Sequence, residues 1–124
     1  MSDFERLAEN YIAVWNETDA DKRRTLIEAT FAKGSSYHDP LMQAEGHAEI
    51  EGLVAAVHER FPGFRFRLDG PVDGYADKLR FSWTLGPDGL DGNEAPIRGT
   101  DFAEAEDGRF TSVTGFLDRV PAAA

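Results

Sequence analysis

Tyr37-His38-Asp39-Pro40-Leu41 is the stretch on which the reading of this 124-residue chain turns. Two runs of helical spacing precede it. A polar loop follows it and leads to a third helix, opening at Gly46-His47-Ala48-Glu49-Ile50. Residues 35–39 read as a short strand, and Pro40 marks its end because proline has no amide hydrogen to give a sheet ladder. A carboxylate in that position admits two readings. Asp39 is either a general base facing a pocket or a turn residue whose side chain bonds the nearby backbone.

Upstream, Phe4, Leu7, Ala8, Tyr11, Ile12 and Trp15 recur at the i, i+3, i+4, i+7 spacing of one helical face. Ser2 or Asp3 can cap this helix, with Glu5 in its first turn. Residues 16–19 break it, and Thr18 or Asp19 restarts a second helix through Leu26, Ile27 and Phe31, with Gly34 as its closing glycine. Downstream, Ile50, Leu53, Val54, Val57 and Phe61 line one face of a third helix over residues 47–61, stopped by Pro62-Gly63.

The period then falls from 3.6 to 2. Phe64, Phe66 and Leu68 alternate with Arg65 and Arg67, and Leu79, Phe81, Trp83 and Leu85 alternate with Arg80, Ser82 and Thr84. Both are half-buried antiparallel strands. A loop over residues 86–93 reads as a mobile rim. Residues 97–106 and 109–120 form a last strand pair, joined by the two-residue hairpin signal Asp107-Gly108. The order ααβαββββ predicts an α+β fold, with three N-terminal helices packed on one face of a curved, mainly antiparallel sheet. One domain spans residues 1–121, and residues 122–124 are a frayed tail.

The formal net charge of -10 sets the chain against nucleic-acid phosphates and anionic membranes. Its one basic run, Lys22-Arg23-Arg24, reads as a solvated helix face. With no cysteine there are no disulfides, thiolate nucleophiles or cysteine metal sites. No leader pattern and no ~18-residue apolar run occurs, so a soluble, cytoplasmic protein is expected. His38, Asp39 and His47 lack the spacing of a metal motif, and no nucleophile elbow or phosphate loop is found. His38 should face away from Asp39 by strand alternation, and His58 flanks the stripe of the third helix.

The chain resembles the NTF2-like superfamily, which includes ketosteroid isomerases and SnoaL-type polyketide cyclases. Tyr11-Ile12-Ala13-Val14-Trp15-Asn16, Tyr37-His38-Asp39-Pro40, Gly115-Phe116-Leu117-Asp118 and the Gly99-Thr100-Asp101 to Asp107-Gly108-Arg109 hairpin carry the resemblance, together with the element order. It implies a cone-shaped α+β barrel with a deep pocket between helices and sheet, commonly as a homodimer. By the same resemblance, Asp39 matches the base of ketosteroid isomerase, Tyr11 its oxyanion-hole tyrosine and Asp101 its protonated aspartate. His38, where those enzymes carry an acidic residue, and the Phe102-Ala103-Glu104-Ala105 run after Asp101 depart from the pattern. So does the polar, glycine-rich segment at residues 91–94, and these departures speak against a steroid.

The expected chemistry is proton removal beside a carbonyl, which needs a held base and donors aimed at the oxygen where charge develops. Asp39 is the candidate base, with Tyr11 and a neutral Asp101 as donors. Trp15, Tyr37, Met42, Phe61, Phe81 and Trp83 are the candidate substrate-binding residues. Gly99, Ala103 and Ala105 share the face of Asp101, as small residues do where a strand lines a cavity. The expectation is an isomerase, cyclase or lyase acting without cofactor or metal on an apolar or cyclic compound. The alternative is a non-catalytic binding or dimerisation module with the same pocket. Phe102, Phe110 and Phe116 fall on the outer sheet face, where a second subunit would cover them.

Overall fold

The helices begin where a side chain can accept from the first unpaired amides. In the computed structural model, which describes residues 2–87 and 95–120, Ser2 and Glu5 cap each other reciprocally at 3.1 Å. Helix α1 follows over Asp3–Asn16. Asp19 accepts from Lys22 N–H at 3.0 Å and starts α2, Ala20–Thr30. Gly46, at φ 83°, leads into α3, His47–Arg60. The apolar stripe of α1 is buried at Ala8, Tyr11, Val14 and Trp15, against a core that includes Ile50 and Val54 of α3.

The second helix ends earlier than its spacing suggests. Phe31 is both its C-cap and the first residue of strand β1, Phe31–His38. Four residues beyond Ile27, Phe31 turns inward in either conformation, so its burial beside Tyr11 and Phe110 does not distinguish helix from strand. Gly34 closes no helix. It sits within β1 at φ 81°, where the register with the last strand shifts between Phe31 and Ser36. Arg23 corrects the solvated-face reading of its basic run. It is only 4% exposed, donating to both Glu51 carboxyl oxygens at 2.6 and 2.9 Å and to the Glu17 carbonyl at 2.7 Å. This bidentate pair ties α2 to α3.

After β1 come β2 (Gln43–Glu45), β3 (Phe64–Leu68), β4 (Asp73–Tyr75), β5 (Lys78–Pro87), β6 (Ile97–Glu106) and β7 (Arg109–Arg119). The sheet order is β2-β1-β7-β6-β5-β3, with β4 also on β5. Every pair is antiparallel except β1 with β7. The expected cone is thus a curved sheet that remains open rather than a closed barrel. At its edge, the Asn16 amide accepts from Phe66 N–H at 2.7 Å and donates to Phe66 C=O at 2.9 Å, standing in for a missing strand neighbour. Asp107 and Gly108 both take positive φ, 53° and 78°, as a two-residue hairpin turn requires.

Phe110 is corrected too: it is fully buried, not on the outer face. The β6–β7 register shifts between Glu104 and Ala105, so Phe110 pairs with Ala105 and Ser112 with Glu104. That extra residue turns Phe110 inward onto Tyr11. Of the expected rim loop, Gly86 and Pro87 end β5, and the rest lies outside the described residues, as does the 122–124 tail.

Candidate active site

Strand alternation places Tyr37 and Asp39 on the inner side of the sheet and leaves His38 exposed. The Tyr37 hydroxyl donates to Asp39 Oδ2 at 2.6 Å. Asp39 Oδ1 accepts from the Leu41 and Met42 amides, each at 2.8 Å. The two readings of Asp39 are therefore not exclusive: one oxygen builds the turn after β1, while the carboxylate as a whole borders a cavity. An ionised carboxylate has about four lone-pair sites, so three donors leave one free.

Asp101 is the more unusual carboxyl. It sits on β6 between Phe81 of β5 and Gly115 of β7, and only 1% of it is exposed. Neither of its oxygens meets a donor at normal hydrogen-bond geometry among the described residues. Burial pushes its pKa up to about 6, and the charges of Asp39 and Asp118 add to the rise. The nearby Tyr11 hydroxyl and Trp83 indole N–H oppose the shift without cancelling it. Burial, with the Asp101 charge next, also raises the Tyr11 and Tyr37 hydroxyls well above the usual phenol range, so both stay protonated donors.

Gly115 is the point where these groups converge. A methyl group there would stand 2.8 Å from Asp101 Oδ1, 3.3 Å from Asp39 Cβ and 3.6 Å from the Tyr37 hydroxyl. At Gly99 a methyl would enter the Trp83 indole ring, so the bare backbone of β6 is what lets that ring lie across the sheet. The Trp15 and Trp83 indole nitrogens are buried and meet no acceptor at normal hydrogen-bond geometry among the described residues, although the Trp83 N–H lies near Asp101.

The cavity encloses about 740 Å³, within the range of small-molecule sites. Of the residues singled out in the sequence, Tyr11, Trp15, Tyr37, Asp39, Met42, Phe61 and Trp83 line it. Two others do not. Phe81 lies in the core beneath, with its ring edge-on to Tyr11 at 5.1 Å, and Asp101 stands behind the wall. The wall also includes Arg60, Leu85, Ile97 and Leu117, none of which was singled out from the sequence. Alternation could have flagged Leu85, Ile97 and Leu117, but nothing in the sequence marked Arg60. His47 and His58 instead bond backbone carbonyls, of Phe31 at 2.8 Å and Trp15 at 2.7 Å, and pin α3 to its neighbours.

Comparison with known proteins bears on the family and the fold. Residues 8–113 match the family model described as a SnoaL-like domain. A candidate isomerase of the SnoaL-like family from Agrobacterium tumefaciens is 39% identical, with 95% of this chain and 99% of that one covered and a TM-score of 0.88. A candidate ketosteroid isomerase from Kribbella flavida is 18% identical, with 98% of this chain and 82% of that one covered and a TM-score of 0.69. A candidate SnoaL-like polyketide cyclase from Jannaschia shares 17% identity, with coverage of 95% and 89% and a TM-score of 0.69. At such identities the last two show the shared fold alone. No curated protein matches the chain. With residues 8–113 matched by the family model and 95% of the chain covered by a relative of 39% identity, the chain belongs to the SnoaL-like family.

Proposed function

We propose that the protein is a small-molecule enzyme performing acid–base chemistry on an apolar carbonyl or cyclic compound, of the isomerase, cyclase or lyase type, without a cofactor. The observation that carries this reading is the pairing of unlike carboxyls around Gly115. Asp39 is held by three donors at the cavity wall, and Asp101 is dehydrated behind it. Of the two, Asp39 borders the cavity and takes the part of the base, while Asp101 lies behind the wall next to the Tyr11 hydroxyl. The free acceptor site of Asp39 takes a proton from the carbon beside the carbonyl. The C–H electron pair forms the C=C bond of an enolate, the C=O π pair moves onto oxygen, and the Tyr11 hydroxyl meets the developing charge. Asp101 reaches the ligand only through Tyr11, so its proposed part is to position and polarise that hydroxyl. Asp39 then returns the proton to another carbon, or the enolate carbon attacks a second carbonyl in the same molecule, whose π pair moves onto its oxygen and accepts the proton from Asp39.

Titration with 2-naphthol, whose phenolate mimics a bound enolate, tests the assignment. Tyr11→Phe is expected to weaken binding about tenfold, the worth of a buried hydrogen bond to a charged group. Asp39→Asn is expected to tighten it several-fold, because it removes a negative charge beside the phenolate. No binding by the wild type, or equal binding by all three proteins, would sink the proposal. The latter result would favour the second reading, a non-catalytic ligand-binding module in which Asp39 only builds its turn. That reading is supported by the two backbone amides on Asp39 Oδ1.

A homodimer through the outer sheet face belongs to the same proposal. Phe102 and Phe116 are 41% and 58% exposed there. Phe102 pairs with Thr114 and Phe116 with Thr100, which makes the two rings diagonal neighbours. A second copy would cover them. Light scattering at roughly tens of micromolar should give twice the chain mass, falling to one chain mass in Phe102→Lys/Phe116→Lys. A monomeric wild type ends that part of the proposal. No helix among the described residues is long and apolar enough to cross a membrane, and the proposed setting is the cytoplasm.

A further inference from the structure

Two opposite charges share one apolar cavity without meeting. Among the described residues that line it, Asp39 and Arg60 are the charged side chains, and the rest are aromatic or aliphatic apart from the tyrosine hydroxyls. Arg60 stands in the last turn of α3, where a cation is favoured by the helix dipole. The dipole explains an arginine in that turn. It does not explain why the side chain turns to the cavity. Its guanidinium lies 5.6 Å from the centroid of the Phe61 ring, itself part of the cavity wall, and no carboxylate pairs with it among the described residues. In a protein with a net charge of -10, a guanidinium without an acidic partner among the described residues, placed at a binding cavity, calls for a reason.

We infer that Arg60 selects ligands bearing a carboxylate, so that the substrate class is an apolar ring compound with an enolisable carbonyl and an acid group. This rests on the proposed acid–base function and narrows it. The planar fork of arginine matches a carboxylate with two parallel hydrogen bonds, and stacking on Phe61 holds the fork ready. A phosphate fits less well: it carries more charge and three acceptor oxygens, and Arg60 is the one cation among the lining residues. The negative field of the whole protein disfavours anions in general, so Arg60 admits a single charge at a single place. The ligand is then bipolar in the same sense as the cavity, with its acidic C–H at Asp39 and its carboxylate at Arg60.

Calorimetric titration with 2-naphthol, 2-naphthoate and 6-hydroxy-2-naphthoate tests this at low and at physiological salt. At low salt the wild type should bind 6-hydroxy-2-naphthoate about tenfold more tightly than 2-naphthol, and the ratio should shrink as salt screens the exposed guanidinium. In Arg60→Gln the ratio should fall to about one, and Arg60→Lys should keep part of it, because an ammonium retains the charge without the fork. An unchanged thermal midpoint shows that the exposed substitutions leave the fold intact. Equal affinities in the wild type, or a preference that survives in Arg60→Gln, overturns the inference. Because 2-naphthoate has no phenol, its dependence on Arg60 reads this site alone. Failure of the Tyr11→Phe arm with 2-naphthol counts against the proposed function instead.

Discussion

Asp101→Asn should make the protein more stable at about pH 8, by roughly 2–3 kcal/mol, and change little at about pH 4. Asp101 has its pKa raised from 3.8 to about 6 by burial. The folded state therefore holds the proton more tightly than the unfolded chain does. The stability linked to that proton is fully present below pH 3.8 and is lost as the pH rises through about 6. Each unit of difference is worth about 1.4 kcal/mol, so the dehydrated carboxylate costs about 3 kcal/mol once both states are ionised. Asparagine has the same shape, carries no charge and keeps an oxygen towards Tyr11 and Trp83. Urea unfolding of both proteins across this range gives a difference curve in which the other titrating groups cancel. A flat curve, or an asparagine variant that loses ground as the pH rises, would show that Asp101 is not strained by burial.

The cost at Asp101 also shows which features the sequence could and could not convey. Elements long enough to repeat a period announced themselves: the α1 stripe from Phe4 to Trp15 and the alternations from Leu79 to Leu85 and from Ile97 to Glu106. Strands β2 and β4 have three residues each, too few to show a period, and they exist because a neighbour offers a free edge. Phe110 defeated alternation because a bulge counts one residue twice, and only the pairing of β6 with β7 reveals it. For the site, the i, i+2 spacing of Tyr37 and Asp39 already put both on one face. A neutral Asp101 was already an expectation of the resemblance; what the sequence did not convey is that Phe81 and Gly115 flank it from separate strands. Arg60 went unmarked, because nothing local says which way a cation in the last turn of a helix points.

Gly99→Ala should have the largest single effect, a loss of about 3 kcal/mol or more together with ligand binding. The reason is placement, not backbone freedom. The added methyl would fall within the Trp83 ring, and a rigid indole cannot yield by a small torsion. Trp83 packs edge-on against Phe66 at 5.3 Å, so the side with room to receive it is the cavity that Trp83 and Phe66 both line. The displaced ring would lose its packing and occupy the ligand's volume at once. Trp83→Leu provides the control. Alone it enlarges the cavity and costs about 2–4 kcal/mol, within the range for truncating a buried aromatic. Added to Gly99→Ala it removes the ring with which the methyl collides, so the double variant should be more stable than the sum of the two single losses predicts, by at least about 1–2 kcal/mol. Strict additivity would mean that the methyl is accommodated by movement of β6 instead. The bare position at Gly99 would then have no part in holding Trp83 against the cavity.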